Sequence, residues 1–236
     1  MAERNNNKNW QESLKMWISG KHDKEVYKKT LTLNLIIVFL TLLVSILLFS
    51  KSFSLYLHQI SFLGSSYWNP EGHVIFNIGF IIAGLIFIPH TLFLYYRLLP
   101  DLKVFSLLSG FFLLIASIGF ALVGVFPSSG NYTAHMTAAV MAFGGIALGM
   151  IFMIFPLLKK IKRKEKWPTP KLMLILFLPL ISIIIFTLIF VGIPVVNNLP
   201  DSLYNEPPEI WAFCEWLIAF SGFFWFFGII YSSMIE

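Results

Sequence analysis

Six stretches of this chain are long, apolar and almost free of charge: Leu31–Ser50, Val74–Leu99, Val104–Phe126, Ala134–Leu158, Leu172–Val196 and Glu209–Met234. About 20 apolar residues in helical form cross a hydrocarbon core. Inside lipid each backbone N–H and C=O must be satisfied within its own segment, so these runs are predicted to be α-helices. The expected fold class is therefore all-α, a polytopic integral membrane bundle of six transmembrane helices. Composition agrees, because 12% of residues are charged, against about 25% in an average soluble domain.

The basic residues orient the bundle. Arg4, Lys8, Lys15, Lys21, Lys24, Lys28 and Lys29 precede the first run. Arg97 and Lys103 bracket the connection between the second and third runs. Lys159, Lys160, Lys162, Arg163, Lys164, Lys166 and Lys171 lie between the fourth and fifth. Six crossings put all of these on one face and leave only Lys51 on the other. Basic loops stay cytoplasmic, so both termini are expected inside. The loops Lys51–His73, Pro127–Thr133 and Asn197–Pro208 then face outward. Residues 1–30 form a cytoplasmic segment and residues 31–236 the transmembrane domain.

Within the first segment, residues 9–20 (NWQESLKMWISG) carry Trp10, Leu14, Trp17 and Ile18 at helical spacing. This pattern predicts a short amphipathic helix on the membrane surface; the alternative is a disordered basic tail. The net charge of +5 is gathered in blocks beside apolar runs, which favours membrane lipids over nucleic acid as partners. The 159–171 loop is a candidate anionic-lipid contact. Cys214 is the sole cysteine, which excludes an internal disulfide and a multi-cysteine metal site. The chain is expected in a membrane, the cell membrane if its source is prokaryotic.

Polar residues cluster at the outward ends of the even-numbered spans. Span 2 begins near Glu71, His73 and Asn77, span 4 near Tyr132 and His135, and span 6 with Glu209 and Trp211. Glu215 and Trp216 lie deeper in span 6. Intramembrane ionisable residues usually face a bundle interior. His73, Asn77 and Gly84 share one helix face, as do His135, Ala138, Ala142, Gly145 and Gly149 in span 4, and Glu215, Ala219 and Gly222 in span 6. Small residues allow close helix approach. Spans 2, 4 and 6 are thus expected to meet, with Glu215 paired to a residue of span 2 or 4 beneath an outward polar pocket. Structural roles compete at each position: His135 and His73 as interfacial or capping residues, Glu215 as a buried hydrogen-bonding group.

No HExxH, GxSxG, Walker A or dinucleotide glycine motif is present. His90 lies too far from His135 in depth for a bis-histidine haem. Neither a metal nor another cofactor is expected.

Three stretches carry a family resemblance: Asn69-Pro70-Glu71 before span 2, the Gly124-Val125-Phe126-Pro127 end of span 3 followed by His135, and Glu215-Trp216 in span 6. In this order they resemble the DRAM/Frag/Sfk type of six-span membrane protein, over about residues 30–234. The chain has Phe62-Leu63-Gly64 where the DRAM-like pattern has Asp-Thr-Gly. The resemblance implies a role with lipid in a non-cytosolic leaflet and brings no established catalytic residues.

Two functions are weighed from these residues. One is a protein that binds or organises lipid, with Glu71, His73, Asn77, Tyr132, Glu209, Trp211 and Trp216 around the ligand. The other is a lipid-modifying acyltransferase or hydrolase, with His135 as general base and Glu215 as its acid or orienter. A transporter or channel ranks below both, because the inner halves of spans 3, 5 and 6 are apolar.

Overall fold

A computed structural model describes residues 2–50, 52–163, 170, 173, 177–185, 187 and 209–231. The helices are α1 (Ala2–Ile18), α2 (Lys24–Leu47), α3 (His73–Leu98), α4 (Lys103–Val125), α5 (Tyr132–Ala139), α6 (Gly145–Arg163) and α7 (Glu209–Tyr231). A single π-type turn, Val140–Gly144, joins α5 to α6. Residues 177–185 are also helical. No strand occurs among the described residues.

Four helices are long and apolar enough to cross a membrane: Lys24–Leu47, His73–Leu98, Lys103–Val125 and Tyr132–Lys160. Ala212–Phe226 within α7 is a shorter apolar helix. The fifth expected span lies mostly outside the described residues, and so does Lys164–Lys166 of the basic loop. The first span starts before the expected Leu31, because Asp23 caps it by accepting the Val26 N–H at 2.8 Å. Asn131 caps α5 in the same way, accepting from Ala134 at 3.0 Å. A side-chain oxygen at this position satisfies one of the orphan donors of a helix start.

Helix α4 lies between α3 and α6. A Cβ built on Gly84 of α3 would stand 2.5 Å from the Ala121 nitrogen of α4. One built on Gly145 of α6 would stand 2.7 Å from the Ala116 nitrogen, also of α4. The small faces of spans 2 and 4 therefore pack on span 3 rather than on each other, which corrects the expected pairing. Buried hydroxyls join the same helices: Ser109 of α4 donates to the Gly149 carbonyl of α6 at 2.9 Å, and the Thr91 hydroxyl of α3 lies 3.3 Å from that of Ser117 in α4. Asn34 of α2, fully buried, donates to the Ala83 carbonyl of α3 at 3.2 Å. Ser221 of α7 is hydrogen-bonded to Ser182 in the 177–185 helix.

At the opposite end from the 52–72 loop, the turn after α1 docks on α3. Gly20 takes a left-handed conformation (φ 69°) and lies flush on the Leu92–Phe93 backbone. Any side chain there would meet both strain and collision. Next to it, His22 stacks on Phe93 with centroids 4.9 Å apart, and Tyr27 stacks on the same ring at 4.2 Å. His90 packs edge-on to Tyr27 at 5.4 Å and is fully buried. The His22 nitrogens face the Met16 and Trp17 carbonyls without forming a hydrogen bond of good geometry.

Burial pushes the His22 pKa below its ordinary value of 6.5; Arg97 adds to this, while the two carbonyls and Asp23 oppose it. The docked turn thus holds a neutral ring, whereas the undocked ring takes up a proton below about 6.5. Docking is expected at full strength above that pH and weakened as the pH falls through it. Limited proteolysis of the turn between about pH 7.5 and about pH 5 checks this. Cleavage should accelerate in acid for the wild type, and His22→Phe, which keeps the stacking, should flatten the profile.

Candidate functional site

Asn77, Glu215 and Trp216 all bond to the loop between α2 and α3, to which Glu71 itself belongs. Its centre is a 3-10 turn, Ile60–Gly64, with Ile60 and Leu63 buried. The residue before it, Gln59, makes no side-chain cap. The Ile60 N–H at the start of the turn would be an orphan donor. Glu215 takes it: its Oε2 accepts the Ile60 N–H at 2.8 Å. The Ser61 amide is the carboxylate's second backbone neighbour. A carboxylate at the start of a helical turn also meets the positive end of the backbone dipoles. Glu215 therefore caps a turn remote in sequence, and the expected partner from span 2 or 4 is replaced by backbone. One residue on, Trp216 Nε1 donates to the His58 carbonyl at 2.9 Å.

Other elements hold the same loop. Asn69, fully buried, donates through Nδ2 to the Ser45 and Leu63 carbonyls, each at 3.0 Å, and its Oδ1 accepts the Gly72 N–H at 3.1 Å. One amide thereby joins the end of α2, the 3-10 turn and the start of α3. Asn77 donates to the Gly64 carbonyl at 3.1 Å. From the connection between α4 and α5, Ser128 donates to the Ser61 carbonyl and Ser129 accepts the Ser66 N–H, both at 3.1 Å. The result is a cap, bound from α2, α3, the α4–α5 connection and α7.

The two histidines serve local geometry. His73 Nδ1 lies 3.1 Å from the Asn69 carbonyl and 3.0 Å from that of Pro70, closing the start of α3. His135 Nδ1 lies 2.8 Å from the Phe126 carbonyl, tying span 4 to the Gly-x-Phe-Pro end of span 3. In each case the carbonyl requires Nδ1 to be the protonated nitrogen. Among the described residues, no three His, Cys, Asp or Glu side chains are placed to hold a metal ion. Glu71 and Tyr132 are exposed. Glu209 and Trp211 fall in the first turn of α7, and their side chains lie outside the described residues.

Beneath the cap is a cavity of about 40 Å³. Ile60 forms part of its wall, together with Leu35, Val38 and Leu42 of α2, Phe80, Ala83 and Phe87 of α3, and Phe120 of α4. Phe143, Ile146 and, from α7, Ala219, Gly222, Phe223 and Phe226 complete it. Helices α3, α6 and α7 all reach this cavity, as do α2 and α4, and among the described residues its lining is apolar.

A match to the Frag1/DRAM/Sfk1/Cwh43P N-terminal domain covers residues 68–232. The chain belongs to this family. It is an integral membrane protein, as its four long apolar helices require. No curated protein and no solved structure matches it. The three stretches that carried the resemblance have clear uses in this family member. Asn69 ties the cap to α2, His135 joins spans 3 and 4, and Glu215-Trp216 pins the turn. Asn69 is not among the site residues the sequence suggests, and Ser128 and Ser129, which could be read from sequence as a nucleophile beside His135 or as turn residues, bond to the cap. The signal for Asn69 was an amide immediately before a proline and a helix start, which marks a turn.

The capping role separates two substitutions at Glu215. Glu215→Ala leaves the Ile60 N–H unsatisfied and is expected to cost about 1–3 kcal/mol. Glu215→Gln retains an acceptor oxygen and should lose less than half as much. Thermal unfolding in detergent measures both; equal losses would contradict a capping role that needs only an acceptor.

Proposed function

We propose that this protein binds lipid by admitting the end of an acyl chain to the apolar cavity of a six-span bundle, beneath the outward cap. Both termini are cytoplasmic in this reading, supported by the one-sided distribution of Lys and Arg. The observation that carries the function is the cavity itself. It exceeds the roughly 10–15 Å³ that one water requires, yet an apolar wall offers water no partner. A hydrocarbon chain gains burial there without losing hydrogen bonds. The exposed Glu71 and Tyr132, with Glu209 and Trp211, are polar and aromatic groups near the cap in sequence that could meet a headgroup.

Hydrolysis or acyl transfer has less support. A general base must reach its proton directly or through one water. His135 donates through Nδ1 to the Phe126 carbonyl and keeps a lone pair on Nε2, but Glu215, its expected acid or orienter, bonds the Ile60 amide instead of the imidazole.

Gly222→Leu tests the proposal. A Cβ at Gly222 would lie 3.6 Å from Ile146, in ordinary contact, so the added branches are directed to the cavity without backbone collision. Lipid extracted from purified wild type and variant should be compared by mass spectrometry, with unfolding followed in parallel. A several-fold loss of bound lipid in a folded variant is expected. Unchanged lipid content in that folded variant would overturn the cavity as the binding site. Chemical turnover of added labelled lipid would restore the enzyme reading.

A further inference from the structure

Helix α1 is held to the bundle through its C-terminal end. Trp17 Nε1 donates to Thr30 Oγ1 at 3.4 Å, and its ring lies edge-on to His90 at 6.4 Å. Gly20 then sets the following turn against α3. This attachment fixes the rotation of α1. At helical spacing Trp10, Leu14 and Ile18 continue from Trp17 along one side, while Glu12 falls nearly opposite Leu14. The three apolar side chains are 55%, 42% and 53% exposed, so none of the described residues covers them.

Charge identifies what does. The first 30 residues contain seven Lys or Arg against four Asp or Glu. Lys21 lies over the Tyr96 ring at 5.6 Å, and Arg97 over Phe93 at 5.3 Å, beside the docked turn. Lys103 opens α4 at the same end of the bundle. A second copy would bring the same excess of positive charge to this surface. An anionic lipid leaflet offers hydrocarbon to the apolar stripe and negative headgroups to the cations.

We propose that α1 is an interfacial anchor for an anionic leaflet, with Trp10, Leu14 and Ile18 at the edge of the hydrocarbon and Lys15, Lys21 and Arg97 among the headgroups. This surface is separate from the cavity and does not depend on lipid binding there.

The test uses the full chain, with Cys214→Ser, reconstituted in phosphatidylcholine vesicles with or without about 30% phosphatidylglycerol. Spin labels are placed at Leu14→Cys or, separately, Glu12→Cys. With anionic lipid, the label at position 14 should be relaxed mainly by dissolved oxygen and the label at position 12 mainly by an aqueous nickel chelate. The contrast should fall in neutral vesicles and at about 1 M salt, where charges are screened within about 3 Å. Equal nickel access at both positions would overturn the proposal, as would a contrast insensitive to headgroup charge. Dipolar coupling between labels at position 14 would assign the stripe to a second copy instead. Trp10→Phe supplies an independent readout that leaves Leu14 and Ile18 intact. It should remove a component of the tryptophan fluorescence that brominated phosphatidylglycerol quenches; no such difference would also overturn the proposal.

Discussion

The bond from Glu215 to the Ile60 amide governs the half of the structure that carries the α2–α3 loop. A 3-10 turn begins with N–H groups that its own backbone cannot satisfy. Ile60 and Leu63 nevertheless bury their side chains against the helices. Such irregular backbone is tolerated at membrane depth only where protein supplies partners. A carboxylate in α7 is one such partner, and the Trp216 indole beside it is another. An acid within Phe-Cys-Glu-Trp-Leu thus has a purpose without any basic neighbour: its counterpart is a backbone amide brought from a distant loop.

The interior is divided between two packing regimes. Where α3, α4 and α6 meet, glycines allow backbone to approach backbone. Gly79 of α3 gives α2 a similar close approach at Thr41, while the larger residues that α2 and α7 turn toward the centre leave the cavity. Gly222 illustrates the difference, since a Cβ there would merely touch Ile146 side-chain atoms, whereas one at Gly84 or Gly145 would strike the backbone of α4. An unfilled apolar space of this kind forfeits dispersion contacts on its lining. Hydrocarbon restores those contacts, which is why the cavity rather than the polar cap carries the functional reading.

Helix positions were legible because lipid imposes a simple condition on backbone and side chains alike. α3 and α4 begin and end within a residue of the apolar runs that predicted them. The start of α2 was displaced because Asp23 caps a helix whose first turns are still charged. The polar positions were legible as a group but not in their connections. Sequence places Glu215 on the face of Ala219 and Gly222, and that face does meet the interior. It does not reveal that the intervening partner is the amide of Ile60, since every residue type but proline carries that donor. Asn69 was hidden for a related reason: its three hydrogen bonds are all to backbone groups, and no side-chain pattern announces them. The pairing of small faces between spans 2 and 4 failed because the same glycine pattern serves whichever helix lies alongside, and that helix is α4.

The cap also limits how a hydrocarbon could reach the cavity. Withdrawing the loop outward would break contacts to α2, α3, the α4–α5 connection and α7 together, and would strand Asn69 and the Ile60 amide without their partners. Leaving such groups unsatisfied costs about 1–3 kcal/mol each. Passage between helices from the surrounding lipid disturbs mainly apolar contacts, which hydrocarbon on either side can replace. The outer face is therefore built as a fixed roof, and the lower-cost route for an apolar ligand lies in the plane of the bilayer. On the proposed reading, the polar residues around the α2–α3 loop serve lipid binding chiefly by keeping that roof in place.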